Sequence, residues 1–561
     1  MQKRGLKYSC LSCFFFLIWN FSAYAQPLMP TSPELSQARG LFTMAGRAFP
    51  VSAYPVAPDA LATHLWNLAD TAGESNQDLA DQARKLAGAL RPPQAAYSLG
   101  VELDLVYAQR LRSDEVLLEP GPYRDGIDFH RSYLTLPPLA VLELGMGKPR
   151  GFSIEAAGEL RREWKEGWFA DSNLMDLGQD RNPLALENNN ISRGILRWHG
   201  EAGTVSIGRD KVHYGPAIGG TLYPSLRLPY WDSVRADLSL GPLSLNWYVA
   251  TIQARKSRLG SSLDVDPGTG FGFETDPGDA LDPELPGTPS IILSAMHRFS
   301  WDFGSLQAGI AGLQVISRPN NYFHLTDIFP VISWHNSDVR QNNMMILADL
   351  AWTPLPGLVL NAVAGLDDVN AESVGVADHS GIPTIYAWVL GAEYYPRAFQ
   401  GFSSLALELG YTHYLWGNYD GSMTMGLDPN PLSKAIFRYL RDGGSVLLPL
   451  TSPYGPGAAW FTLGVQHQMT DLPFVFRLDA TVLSKNTEAN LVDTPYKEDS
   501  LVADADRVLF GSMAVGVEYH RGSLGVGVGP NILYQDGTWW AELDLTVRWK
   551  LGGNYLLRAK Q

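Results

Sequence analysis

The sequence predicts an all-β protein: a transmembrane antiparallel β-barrel of about 16–18 strands with a small N-terminal periplasmic α-helical bundle. Three observations carry this. After the first 25 residues no apolar run is long enough for a spanning helix. From Tyr97 onward, apolar and polar residues alternate with period two. Short turns also alternate with long irregular segments, and the chain is rich in Gly (55), Tyr (24) and Trp (16). A barrel strand hides only half its residues in lipid, so average hydropathy stays near neutral, as the mean hydropathy of −0.09 does here.

The first element reads as a leader rather than part of the fold. Lys3, Arg4 and Lys7 precede an apolar run peaking at Phe14 to Trp19, and Ala23-Tyr24-Ala25 fits a small-x-small cleavage site. Residues 1–25 are therefore expected to be a signal peptide, the run being short for a retained anchor. Cys10 and Cys13, the chain's two cysteines, lie in this segment. A mature chain from Gln26 would have no thiol, so it would use no disulfides in its exported compartment.

Residues 26–95 carry helical spacing. Asp59 reads as a cap ahead of Leu61, Leu65 and Leu68. Leu79, Ala83, Leu86 and Leu90 repeat the pattern until Pro92 and Pro93 stop it. Two or three short helices follow, expected to dock on the barrel.

Residues 96–552 form the expected barrel, with 553–561 as a tail. "YSLGVELDLVY" sets Tyr97, Leu99, Val101, Leu103, Leu105 and Tyr107 against Ser98, Gly100, Glu102 and Asp104. "AELDLTVRWKL" sets Leu543, Leu545, Val547 and Trp549 against Glu542, Asp544, Thr546, Arg548 and Lys550. In a soluble sandwich such an apolar face would meet a second sheet; in a membrane barrel it meets lipid, and the charges line the lumen. Short turns fall at Gly200 to Gly203, Pro354 to Gly357 and His520 to Ser523. Long segments span 165–190, 255–289, 415–455 and 483–505, the extracellular side of such a barrel.

One strand is interrupted. In "GTVSIGRDKVHYGPAIGG", Val205 and Ile207 alternate with Thr204 and Ser206, and then Arg209, Asp210 and Lys211 come together. Strand side chains alternate faces, so one of the three would face lipid. Gly208 can host a bulge that flips the phase. The expectation is that Arg209 and Lys211 face the lumen and tie an inward-folded plug, with Tyr214, Gly215 and Pro216, to acidic wall residues.

The net charge of −15 makes nucleic acid a poor partner. Asp264 to Glu284 form an acidic loop without the spacing of a Ca²⁺ loop. His213, His297, His335, His413 and His520 have no metal-ligand spacing. There is no P-loop, nucleophile elbow or H-E-x-x-H. No enzyme, metal or cofactor is expected. Aromatic and polar residues crowd three segments: Tyr230, Trp231, Asp232 and Arg235; Trp334, His335, Asn336 and Asp338; and His413, Tyr414, Trp416, Asn418, Tyr419 and Asp420. Aromatic faces beside Asp, Asn and Arg suit the ring face and hydroxyls of a sugar. An interfacial aromatic belt uses the same residues.

"SIGRDKVHYGPAIGGTLYPS" resembles the signature of the Wzi-like capsule-assembly family of outer-membrane proteins. "SAMHRFSW", "DIFPVISWHNSDVRQNNMMILADLAW", "AGLDDVN" and "LTSPYGPGAAWFTLGV" are similar to it in the same order. The resemblance covers most of the chain after the helices and is strongest over Gly208 to Pro216. It implies a lectin-like barrel in outer-membrane lipid, its lumen blocked by loops, that binds capsular or other surface polysaccharide; the chain is expected to be a monomer. It transfers no specific sugar site. A channel for small solutes is the alternative. "GGNYLLRAKQ" departs from barrels that end on an aromatic residue.

Overall fold

The computed structural model describes residues 28, 30, 32–73, 76–90, 96–112, 137–147, 150–162, 186–217, 219–224, 228, 230–252, 289–319, 342–369, 383–396, 401–417, 436–441, 444–469, 472–486, 489, 506–535 and 537–556. Three helices come first: α1 (Pro33–Met44), α2 (Pro58–Ala72) and α3 (Gln77–Leu90). They bury the expected stripe, including Leu61, Leu65, Leu68, Leu79, Ala83, Leu86 and Leu90. Asp59 is not the cap of α2. Pro58 takes the first helical position, where its missing N–H costs nothing, and Asp59 sits in the first turn.

Eighteen antiparallel strands close a barrel. Its first part runs β2 (Ala96–Arg112), β3 (Ala140–Gly147), β4 (Gly151–Arg162), β5 (Leu186–His199), β6 (Gly203–Asp210), β8 (Trp231–Leu240) and β9 (Leu243–Thr251). It continues through β10 (Pro289–Asp302), β11 (Leu306–Pro319), β12 (Asn342–Leu355), β13 (Leu358–Asp368), β14 (Ile385–Tyr394) and β15 (Phe402–Thr412). It ends with β18 (Ala458–Gln468), β19 (Phe474–Asn486), β20 (Arg507–Arg521), β21 (Leu524–Gln535) and β22 (Thr538–Leu556), and β22 pairs with β2 to close the ring. Two short pairs lie outside the wall: β1 (Ala53–Tyr54) with β7 (His213–Tyr214), and β16 (Ile436–Arg441) with β17 (Gly444–Pro449). The latter hairpin falls within 415–455, which was expected to be irregular. β22 runs to Leu556, four residues into the segment expected as tail. Residues 1–25 and most of the other three long segments lie outside the described residues.

The alternation behaves as the sequence requires. Leu99, Leu105, Leu543, Leu545 and Trp549 are exposed on the outer face. Glu102 and Asp104 turn inward to Arg548 and Lys550, with Arg548 Nε 2.7 Å from Asp104 Oδ1. On β14, exposed Tyr386 and Tyr394 sit eight residues apart. At about 3.3 Å per residue and a tilt near 40°, they stand about 20 Å apart along the barrel axis, close to the height of an apolar membrane band.

The helices dock on the short-turn end. Ala48 N–H donates to Gly304 O (2.8 Å), and Gly357 N–H donates to Thr43 O (2.8 Å). Gly40 of α1 lies so close to Tyr395 and Phe402 that a Cβ there would collide with both rings.

Candidate functional site

The lumen holds the most unusual part of the molecule. The chain leaves the wall after Asp210, folds through the barrel interior as a plug, and rejoins the wall at Trp231. The departure differs from expectation in its sign. Pairing along β6 is unbroken, with Ile207 opposite Leu196, Gly208 opposite Ile195 and Arg209 opposite Gly194. Gly208 has φ +129 and a backbone so close to the Gly194 carbonyl that no side chain fits, yet it flips no phase. Arg209 therefore continues the outward series of Val205 and Ile207. This corrects the expectation that it faces the lumen.

On the outer face Arg209 is satisfied by three partners. It makes a bidentate pair with Asp232 (2.6 and 2.7 Å), stacks 3.8 Å over the Tyr230 ring and donates to Ile191 O. A half-exposed bidentate pair near a strand end avoids the cost of a charge in lipid. Asp210 turns inward instead, where Arg193 (3.0 Å) and Arg197 bind it. The chain is thus fastened where it leaves the wall: Asp210, the last residue of β6, is held by two arginines of β5. Lys211 follows as the first residue of the plug; burial lowers its pKa against the opposing pull of Glu159 on β4.

The plug is packed as a protein core. Tyr214 stacks on Tyr248 at 5.6 Å, and Trp231 packs on the same ring at 5.2 Å. Val212, Tyr214, Leu222 and Tyr223 join Met296, Leu313, Leu347 and Val363 from the facing wall. The Tyr223 hydroxyl donates to Asp349 Oδ2 (2.6 Å). Arg298 holds the same carboxylate bidentately (2.8 and 2.7 Å), and its Nη1 also donates to Ser52 Oγ and Asn246 Oδ1, each at 2.8 Å. These charges are buried but mutually satisfied, which is what makes their burial tolerable.

The N-terminal module reaches this plug. The pairing of β1 with β7 sets Ala53 opposite Tyr214 and Tyr54 opposite His213. Gly215 N–H donates to Ser52 O (2.8 Å), with Gly215 at φ +85. Arg39 from α1 donates to Pro216 O (2.6 Å) and pairs with Glu393 at 3.1 Å. Burial lowers the Arg39 pKa, but Glu393, Tyr54 and Tyr395 together outweigh it and the net shift is upward. Tyr54 is raised to about 12 by burial. His213 is held at about 4, chiefly by burial, while its Nε2 contact with Ala217 O (2.8 Å) opposes the shift.

The candidate sugar contacts go to separate places. Trp231 and Trp416 are each 1% exposed and belong to the plug core. Trp416 Nε1 donates to Thr451 Oγ1 (3.1 Å). Arg235 is buried against Asp237 and donates to Tyr54 O (2.9 Å), acting as a strut for the N-terminal strap. All three turn inward because Val234, Ala236, Leu238 and Leu240 on β8, and the plug fold at 413–417, fix which way they point. Tyr230 and Asp232 serve Arg209 on the outer rim. Trp334, His335, Asn336, Tyr419 and Asp420 lie outside the described residues. At the long-loop end of β14 and β15, His413 and Tyr414 from the third aromatic segment meet Tyr386 and Tyr411, which the sequence did not single out. Tyr386 lies 5.6 Å from Tyr411 and 6.0 Å from His413, and His413 lies 4.4 Å from Tyr414. Burial holds His413 at about 4. Among the described residues no group of His, Cys, Asp and Glu could hold a metal ion.

No protein-family model and no curated protein matches the sequence. Among solved structures the chain is similar to Wzi, an outer-membrane protein involved in group 1 capsule assembly in Escherichia coli and described as a carbohydrate binding β-barrel. Identity is 11%, the match covers 92% of this chain and 98% of that one, and the TM-score is 0.54. It is also similar to OccK9 (OpdG) of Pseudomonas aeruginosa, at 12% identity, 82% and 98% coverage and TM-score 0.41. A BenF-like porin from Pseudomonas fluorescens Pf-5 shows 10% identity, 81% and 98% coverage and TM-score 0.39. At these identities the first likeness establishes the fold, an outer-membrane-type barrel, and no more.

Proposed function

We propose that this protein is an outer-membrane barrel that binds capsular or other surface polysaccharide and supports capsule assembly or attachment, without catalysing a reaction. The observation that carries the reading is the plug. Tyr214, Tyr223 and Trp231 are fully packed, and two separate parts of the N-terminal module, Ser52–Tyr54 and Arg39, hold the segment in place. A solute pore gains nothing from such a filling, whereas a surface binder uses it as a rigid base for its loops. The carbohydrate-binding barrel with the same fold supports the ligand class. The outer-rim cluster of Tyr386, Tyr411, His413 and Tyr414 is a second place where sugar rings could stack, beside the candidates at Trp334, Tyr419 and Asp420.

The test is direct. Cells carrying the protein should bind purified capsular polysaccharide, and cells lacking it should shed capsule into the medium. Normal capsule retention in the deletion strain would overturn the assembly role. The alternative, a channel for small solutes, draws on one observation: part of the lumen wall is charged and exposed to water.

A further inference from the structure

The plug packs mainly against β8 to β15, and the helices contact turns on the same side, at Gly304, Gly357, Tyr395 and Phe402. The opposite arc, β19 to β22 with β2, is built differently. On β19, β20 and β22 the inward side chains change from exposed to buried along the strand. On β22, Lys550 is 56% exposed and Arg548 40%, whereas Glu542 is 1%. On β19, Arg477 is 41% exposed and Leu483 is 0%. On β20, His520 is 45% exposed and Phe510 is 5%. In every case the exposed residue is the one near the short turns. Water therefore enters from that end and is stopped near the loop end.

The wall between these side chains is thinned. Gly525, Gly527 and Gly529 occupy the inward positions of β21, and Gly516 faces inward beside them on β20. A Cβ added at Gly516 would meet nothing within 4 Å. The space carries a charge imbalance. Among the described residues in its open half, Glu102, Asp104, Asp479 and Glu518 face Arg477, Arg548 and Lys550. Glu102 and Asp104 are paired with Arg548 and Lys550, and Glu518 with Arg477 at 3.5 Å. Among the described residues Asp479 has no ion pair within 4.0 Å. Low-dielectric walls around excess negative charge focus the field and raise the local cation concentration.

We propose that this arc is a water-filled vestibule, entered from the short-turn end and blind toward the loops, that admits small cations in preference to anions. This goes beyond polysaccharide binding and does not depend on it. The experiment uses Gly516→Cys in the full-length protein. Cys10 and Cys13 are the only native cysteines, so the unsubstituted protein serves as the blank. The probes are two membrane-impermeant methanethiosulfonates, one bearing trimethylammonium and one bearing sulfonate, each normalised to its rate with a free thiol. The cationic reagent should react roughly two- to fourfold faster, as expected of an excess of one charge within about a Debye length. Adding Asp479→Asn should bring the ratio toward one. Heat-modifiable migration on a denaturing gel confirms that each variant is folded. Folded Gly516→Cys that reacts with neither reagent, equal rates, or faster reaction with the sulfonate would each overturn the proposal.

Discussion

Arg298→Met is the sharpest perturbation of the plug. Arg298 and Asp349 have side chains 0% and 1% exposed. The substitution keeps the length of the side chain but removes two charge-assisted bonds to Asp349 and one each to Ser52, Asn246 and Ser300. Asp349 would then be a buried carboxylate held only by the Tyr223 hydroxyl. Breaking a buried pair by removing one partner costs roughly 3–5 kcal/mol, mostly the penalty of the stranded charge. Removing both partners should cost much less, because the desolvation penalty disappears with the charge. Arg298→Met combined with Asp349→Leu should therefore be more stable than Arg298→Met alone. The assay is urea unfolding in detergent micelles followed by Trp fluorescence, with Trp231 and Trp416 reporting the plug. A loss below about 1 kcal/mol for the single variant, or a double variant no better than the single, would refute the reasoning.

Other outcomes follow from the same geometry. Gly208→Val should prevent barrel assembly, read as loss of the heat-modifiable band, because its side chain would drive into the Gly194 carbonyl; a folded variant would contradict the close approach. Arg209→Ala should change stability by no more than about 1 kcal/mol, since its ion pair is half-exposed, whereas Arg197→Ala, buried between Glu155 and Asp210, should cost several times as much in the same unfolding assay. Acid should loosen the plug through His213. Its folded pKa of about 4 lies below the ordinary 6.5, so the unfolded state takes up its proton first and the stabilisation, roughly 3 kcal/mol, is complete above pH 6.5 and lost as pH falls toward 4. The groups facing His213 are Arg39, the Tyr54 ring and the Ala217 carbonyl. Protease cleavage of the plug should rise across that window, and His213→Gln should flatten the rise.

Period-two alternation made the barrel legible, because lipid requires it of every spanning strand. The charged set on β22 and the short turns at Gly200–Gly203 and His520–Ser523 stand where the pattern places them. The plug departure at Asp210 was also legible, from the glycines and proline that follow it. The face that Arg209 takes was not. A glycine in a strand can host a bulge, but only the pairing of Arg209 with Gly194 and Asp232 shows that Gly208 does not shift the phase. Trp231 and Arg235 could have been placed from sequence: Val234, Ala236, Leu238 and Leu240 are an outward apolar series, which sends the odd-numbered residues into the lumen. The strap of Ser52–Tyr54 on His213–Tyr214 carried no sequence signal, because two-residue strands joined across some 160 positions leave no periodicity to read.

The central claim is that the plug closes the barrel, so that the protein binds at the surface rather than conducting. Single-channel recording in a planar bilayer tests it most directly. The purified full-length protein should show no stable unitary conductance at neutral pH. Reproducible, long-lived open steps from the unmodified protein would contradict it.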